Sequence, residues 1–118
     1  MSHKLKNYLR THRKRAGLSQ DEIAFLLGCR SGTKVSRYER FARQPSLQTA
    51  FAYEVVFRAP ARELFGGIFQ QVEHTTLNRV QLLVRKLKAA KPDRMTAQKL
   101  RALKAAASRP AIESEKYL

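Results

Sequence analysis

Ser19-Gln20-Asp21-Glu22-Ile23-Ala24-Phe25-Leu26-Leu27-Gly28, then Cys29-Arg30-Ser31-Gly32, then Thr33-Lys34-Val35-Ser36-Arg37-Tyr38-Glu39-Arg40: these residues decide the fold. Ser19 and Glu22 have capping-box spacing. The hydroxyl can accept from the Glu22 N–H, and the carboxylate from the Ser19 N–H. Asp21 and Glu22 place negative charge at the positive end of the helix they open. The spacing predicts a helix over 20–27 that buries Ile23, Ala24, Leu26 and Leu27 and stops at Gly28. Residues 29–32 read as a turn. A second short helix is predicted over 33–40, with Val35 and Tyr38 inward and Lys34, Ser36, Arg37 and Arg40 outward. Ala24 follows Gln20 by four residues, where two crossing helices need a slim side chain.

Working outward, apolar positions keep helical spacing and sustained period-2 alternation is missing. Leu5, Tyr8, Leu9, His12 and Ala16 mark one face of a helix over 4–15, ended by Gly17. Ser46 caps a helix over 47–57, packed through Leu47, Ala50, Phe51 and Val55. Pro60 opens a helix over 60–65 at its first position, where its missing N–H costs nothing, and Gly66-Gly67 ends it. Ile68, Val72, Thr76, Val80, Leu83, Val84 and Leu87 form the stripe of a long helix over 68–90, ~34 Å at 1.5 Å per residue. After Lys91-Pro92-Asp93, a shorter helix over 96–108 shows Leu100, Leu103 and Ala107, and residues 109–118 read as a frayed tail. The fold class expected is all-α. Two short helices joined by a Gly-containing turn and braced on either side make a helix-turn-helix, within a domain over 1–69; a helical extension follows over 70–118.

The chain of 118 residues carries 24 Lys and Arg against 9 Asp and Glu, a formal net charge of +15. Its 43% apolar content is near the globular range, so this is no disordered polycation. Such charge implies a polyanionic partner, nucleic acid before an anionic membrane surface. The excess runs through both parts, with 13 basic and 5 acidic residues in 1–69 and 11 and 4 in 70–118. No apolar stretch is long enough to span a bilayer, and no secretory pattern follows the basic start. The lone Cys29 cannot form an internal disulfide, which fits a reducing, cytoplasmic setting. Trp is absent and aromatics are 8%, a poor supply of stacking platforms for single strands.

Several segments in fixed order carry a resemblance. They are Arg13-Lys14-Arg15-Ala16-Gly17-Leu18-Ser19-Gln20-Asp21-Glu22-Ile23-Ala24, Leu27-Gly28-Cys29, Val35-Ser36-Arg37-Tyr38-Glu39-Arg40, Gln44-Pro45-Ser46-Leu47 and Ala59-Pro60-Ala61-Arg62-Glu63-Leu64-Phe65. Over about residues 4–69 the chain resembles the DNA-binding domain of phage repressor and Cro proteins, the XRE-type helix-turn-helix family. The resemblance implies a five-helix repressor-like domain, followed here by the long and the shorter helix. It implies sequence-specific binding of double-stranded DNA by a transcriptional regulator, with helix 33–40 in the major groove, no cofactor and a homodimer. Gly32, Thr33, Lys34, Ser36 and Arg37 would face bases. Gln20, Arg30, Arg40 and Arg43 would contact phosphates. Arg13 and Glu39 would form a structural ion pair. A guanidinium such as that of Arg37 bonds guanine bidentately, worth ~1–3 kcal/mol of discrimination.

Three departures modify this expectation. Val35 falls one residue later after Gly28, so the turn is longer. Gly32 stands in place of a polar residue. Phe41 stands where a Gly is usual, so the helix is expected to run on through Phe41 or to leave by a different turn. Two other functional readings compete: an antitoxin-like DNA-binding protein whose residues 70–118 bind a protein partner, and a non-specific nucleic-acid coat. Enzyme chemistry finds no support. Glu54 and Glu63 are not spaced as a catalytic pair, and no phosphate-binding glycine motif occurs. His3, His12 and His74 are scattered, and Cys29 has no second thiol, so no metal site is expected.

Overall fold

Glycine and capping chemistry set the helix ends. A computed structural model describes residues 5–108. Among the described residues there are seven helices: α1 (Leu9–Ala16), α2 (Gln20–Leu27), α3 (Gly32–Glu39), α4 (Leu47–Phe57), α5 (Ala61–Leu64), α6 (Gly66–Ala89) and α7 (Arg94–Ala107). They contain no strand. The tail expected over 109–118 lies outside the described residues.

α1 and α2 both leave through a left-handed glycine, Gly17 and Gly28. In each case the next N–H reaches back over five residues, Leu18 to the Arg13 carbonyl and Cys29 to the Ala24 carbonyl. This is the Schellman ending, which satisfies carbonyls the helix leaves open. α3 ends the same way without a glycine. Phe41 has φ 64°, the Phe41 N–H donates to the Tyr38 carbonyl and the Ala42 N–H to the Arg37 carbonyl. Both exits expected for Phe41 are therefore corrected: the helix neither runs on nor changes its turn, and a bulky side chain takes the left-handed place. That conformation costs an L-residue about 1–2 kcal/mol.

The helix starts differ from expectation too. α1 begins at Leu9, not near residue 4, because the buried Asn7 accepts the Leu9 N–H on its side-chain oxygen. The Asn7 amide donates to the Tyr38 carbonyl at 2.9 Å, tying the start of α1 to the end of α3. Pro60 is the cap of α5, one residue before the helix, and the Glu54 carboxylate accepts the Ala61 N–H at 2.7 Å. Gly66 and Gly67 open α6 instead of ending a helix. A Cβ on Gly67 would collide with the Leu5 carbonyl, so close approach is what requires glycine there. Asp93 caps α7 by accepting the Thr96 N–H, and that bond holds its carboxyl below the usual range.

The described chain forms two compact units, the first through Phe69 and the second from Gln70. In the first, Leu9, Ile23, Ala24, Val35, Tyr38, Tyr53, Ala59 and Leu64 form one buried cluster. Tyr53 is its aromatic hub, with ring centroids 5.8 Å from Phe57, 6.3 Å from Tyr38 and 6.4 Å from Phe65. α2 packs on α3 and α4, and α1 also touches both of those helices.

The packing expected for helix 47–57 is reversed. Leu47, Phe51 and Val55 are 68%, 52% and 77% exposed, while Tyr53 is buried and Val56 and Phe57 pack on the cluster. α4 is apolar around most of its circumference, so its pattern does not decide which face turns in. The face that carries two aromatic side chains, Tyr53 and Phe57, fills the core. Leu26 is likewise half exposed instead of buried.

The second unit has no buried apolar side chain among its described residues; only Thr96 is buried. Leu77, Val80, Val84 and Leu87 on α6, and Leu100 and Leu103 on α7, are half-shielded at alternating three- and four-residue spacing.

Candidate nucleic-acid interface

α3 is positioned from beneath. Val35, Tyr38 and Glu39 are buried, so the opposite side of the helix faces solvent. At 100° per residue that side carries Thr33, Ser36, Arg37 and Arg40, with Lys34 at its edge. Thr33, Lys34, Arg37 and Arg40 are exposed and Ser36 is half-buried. The Arg40 Nε donates to the Ser36 hydroxyl at 3.2 Å, which lays that side chain along the helix. Arg30 and Arg43 are exposed at the two ends of the element.

Under this face runs an ionic network. The Arg13 Nε donates to Glu39 Oε2 at 2.6 Å and its Nη2 donates to Oε1 at 3.0 Å, a bidentate pair. Arg13 Nη1 also donates to the Leu18 carbonyl. The carboxylate raises the guanidinium's hold on its proton through these bonds. Glu39 receives a third bond, from Gln20 Nε2 at 3.2 Å. One buried carboxylate thus joins α1, α2 and α3. Gln20, expected at a phosphate, gives one amide proton to Glu39 and keeps another for an outside acceptor.

Gly32 is reassigned by its surroundings. It is buried, and its N–H donates to the Asp21 carboxylate at 2.8 Å. A Cβ there would stand 2.7 Å from Asp21 Oδ1 and 3.0 Å from the Gln20 Cβ. The expected base contact gives way to a packing role, since the residue has no side chain and its donor is spent. Sequence spacing gives Asp21 only a place at the helix dipole and marks no role for Asn7. The visible signal was the extra turn residue together with a glycine at the helix start.

The N-terminal ends of α2 and α3 and the outer side of α1 border an open groove of about 900 Å³. Arg10, Lys14 and Arg40 line it with Ser19, Gln20 and Thr33. Its acidic lining, Asp21 and Glu39, is engaged in the bonds just described. Helix N-termini present backbone N–H groups and positive dipole ends, and with added cations such a groove suits phosphate. Among the described residues no cluster of His, Cys, Asp and Glu could hold a metal ion, and no helix is long and apolar enough to cross a membrane.

No curated protein and no solved structure matches the chain. Residues 5–63, half of the sequence, match the helix-turn-helix domain family. That match covers α1 to α3, α4 and most of α5, the elements that build and brace the exposed face of α3, and the chain therefore belongs to the helix-turn-helix domain family.

Proposed function

We propose that the protein is a transcriptional regulator of the XRE type that binds double-stranded DNA sequence-specifically, as a pair of copies, in the cytoplasm. α3 enters the major groove. Thr33, Lys34, Ser36 and Arg37 face base edges there, and Arg37 reads guanine. Gln20, Arg30, Arg40 and Arg43 contact phosphates, joined by Arg10 and Lys14 from the groove beside α3. The observation that carries the reading is the division of α3 itself. One side is locked by Val35, Tyr38 and Glu39, and the other is a polar and basic face beside a cation-lined groove. A rigid helix with a hydrogen-bonding outer face is what direct readout requires.

Selection of bound duplexes from a random pool tests this. A recovered motif is expected. Arg37→Ala should lower affinity for it by roughly 10- to 100-fold, the ~1–3 kcal/mol of one bidentate base contact, and relax preference at one base pair. Lys14→Ala should weaken all duplexes alike and flatten the salt dependence by about one phosphate. Equal binding to every duplex, with Arg37→Ala acting only through charge, would replace this reading with a non-specific coat. A protein partner for residues 70–118 is a second reading, favoured by the exposure of Val72, Leu82, Leu83 and Met95.

A further inference from the structure

The outward face of α4 has no job in the reading above. Leu47, Phe51 and Val55 recur at four-residue intervals, so they stand in one row, and each is more than half exposed. With the buried face of the same helix also apolar, α4 is patterned like a helix covered on both sides. We propose that this row is the contact between two copies of the chain, packed as an antiparallel α4 pair about a two-fold axis that passes beside Phe51.

Charge selects the occupant. No Lys or Arg lies between Arg43 and Arg58, and the one carboxylate in that stretch, Glu54, caps α5. Leu82 and Leu83, the other apolar pair exposed on a long helix, sit among Arg79, Arg85, Lys86 and Lys88. Two chains of formal charge +15 repel across most of their surfaces, and pairing through α6 would stack cations on cations. The α4 row is a neutral strip where two such chains can meet. An acidic partner would be drawn instead to the basic surfaces.

The row also has the symmetry a two-fold contact demands, because the same patch must complement itself. Leu47 and Val55 lie four residues to either side of Phe51. In an antiparallel pair Phe51 meets Phe51, Leu47 meets Val55, and Arg58 falls opposite Gln44, clear of its own copy. Three side chains fall well short of the ~800 Å² per partner of a standard interface. The pair is therefore weak and concentration-dependent. The contact rests on the pairing of copies proposed above and not on the DNA binding proposed with it, so it is measured without DNA.

Sedimentation equilibrium of the full chain over a concentration series tests the proposal. The wild-type chain should show a reversible monomer–dimer equilibrium. Phe51→Glu and Phe51→Lys should each weaken it by roughly a hundredfold or more, because like charges meet on the axis. Mixing the two variant chains should restore association. Both substitutions fall on an exposed position, and far-UV circular dichroism checks that the fold is kept. Should either variant unfold, a Leu47→Glu chain mixed with a Val55→Lys chain gives the same readout at the ends of the row. A wild-type chain that stays monomeric, Phe51 variants that associate like wild type, or a mixture that does not recover association would each overturn the proposal.

Discussion

The two units of the chain carry similar surpluses of positive charge on very different supports. The first sets 13 basic and 5 acidic residues on a core of eight buried apolar side chains. The second sets 11 and 4 on helices with no buried apolar side chain among the described residues. In the first, selected charges are held in defined geometry: Arg13 is clamped by Glu39, and Arg40 is laid along α3. In the second, Arg79, Arg85, Lys86, Lys99, Arg101 and Lys104 are exposed on helix surfaces. A charge count cannot tell these arrangements apart. A packed core turns some of the charge into a directed surface, and without one the charge sets chiefly the long-range field.

The comparison breaks most easily at Glu39. This carboxylate, in an 8% exposed residue, is bonded to Arg13 and Gln20. Glu39→Ala strands a largely buried guanidinium and should destabilise the protein by about 3–5 kcal/mol. Glu73→Ala, on the exposed surface of α6, should stay within about 0.5 kcal/mol. Urea denaturation of both variants measures the difference. Equal losses would mean that the ionic network under α3 is no more structural than a surface charge.

The legibility of these features follows the range of the interactions. The Ser19–Glu22 capping box and the glycine endings of α1 and α2 are local, and their residue types could be read directly. Asn7 and Asp21 act across 31 and 11 residues. Their partners are backbone groups, which have no residue identity for a pattern to reveal. Gly32 and Gly67 are both needed for close approach, and sequence cannot distinguish such a glycine from one needed for a turn or a helix end. α4 failed differently. With apolar side chains around most of its circumference it has two possible inner faces, and only tertiary packing chose between them. Phe41 shows the same limit for the backbone. Bonds from Phe41 and Ala42 back into α3 outweigh an unfavourable φ that residue type argues against.

A smaller effect sharpens the comparison at the hub of the first core. The Tyr53 hydroxyl is buried and has no hydrogen-bond partner among the described residues. Burial pushes its ionisation well above the ordinary tyrosine range. Tyr53→Phe keeps the ring contacts with Tyr38, Phe57 and Phe65 and removes the stranded group. It should raise stability by about 1 kcal/mol, read as a higher urea midpoint at unchanged slope. A loss of stability would show that the hydroxyl has a bonded role in the folded chain.

The smallest effect concerns His12, the titrating group placed against this core. Its ring is half-buried and lies 5.4 Å from the Phe57 ring, centroid to centroid. Burial lowers its pKa from the ordinary 6.5; Glu63 pulls it back up and Arg15 adds to the fall. The folded protein thus binds this proton less readily than the unfolded chain does. The neutral ring's contribution is complete above about pH 6.5 and is lost as pH falls through the lower, folded value. Wild-type stability should decline over that interval. His12→Gln removes this titration, and the fall from about pH 7 to pH 5 should become shallower. Every other ionisable group is shared by the two chains, so the difference between the two urea-midpoint curves isolates His12. Parallel curves would place the imidazole in water in both states, and with it would go the claim that the packed core reaches as far as His12 on α1.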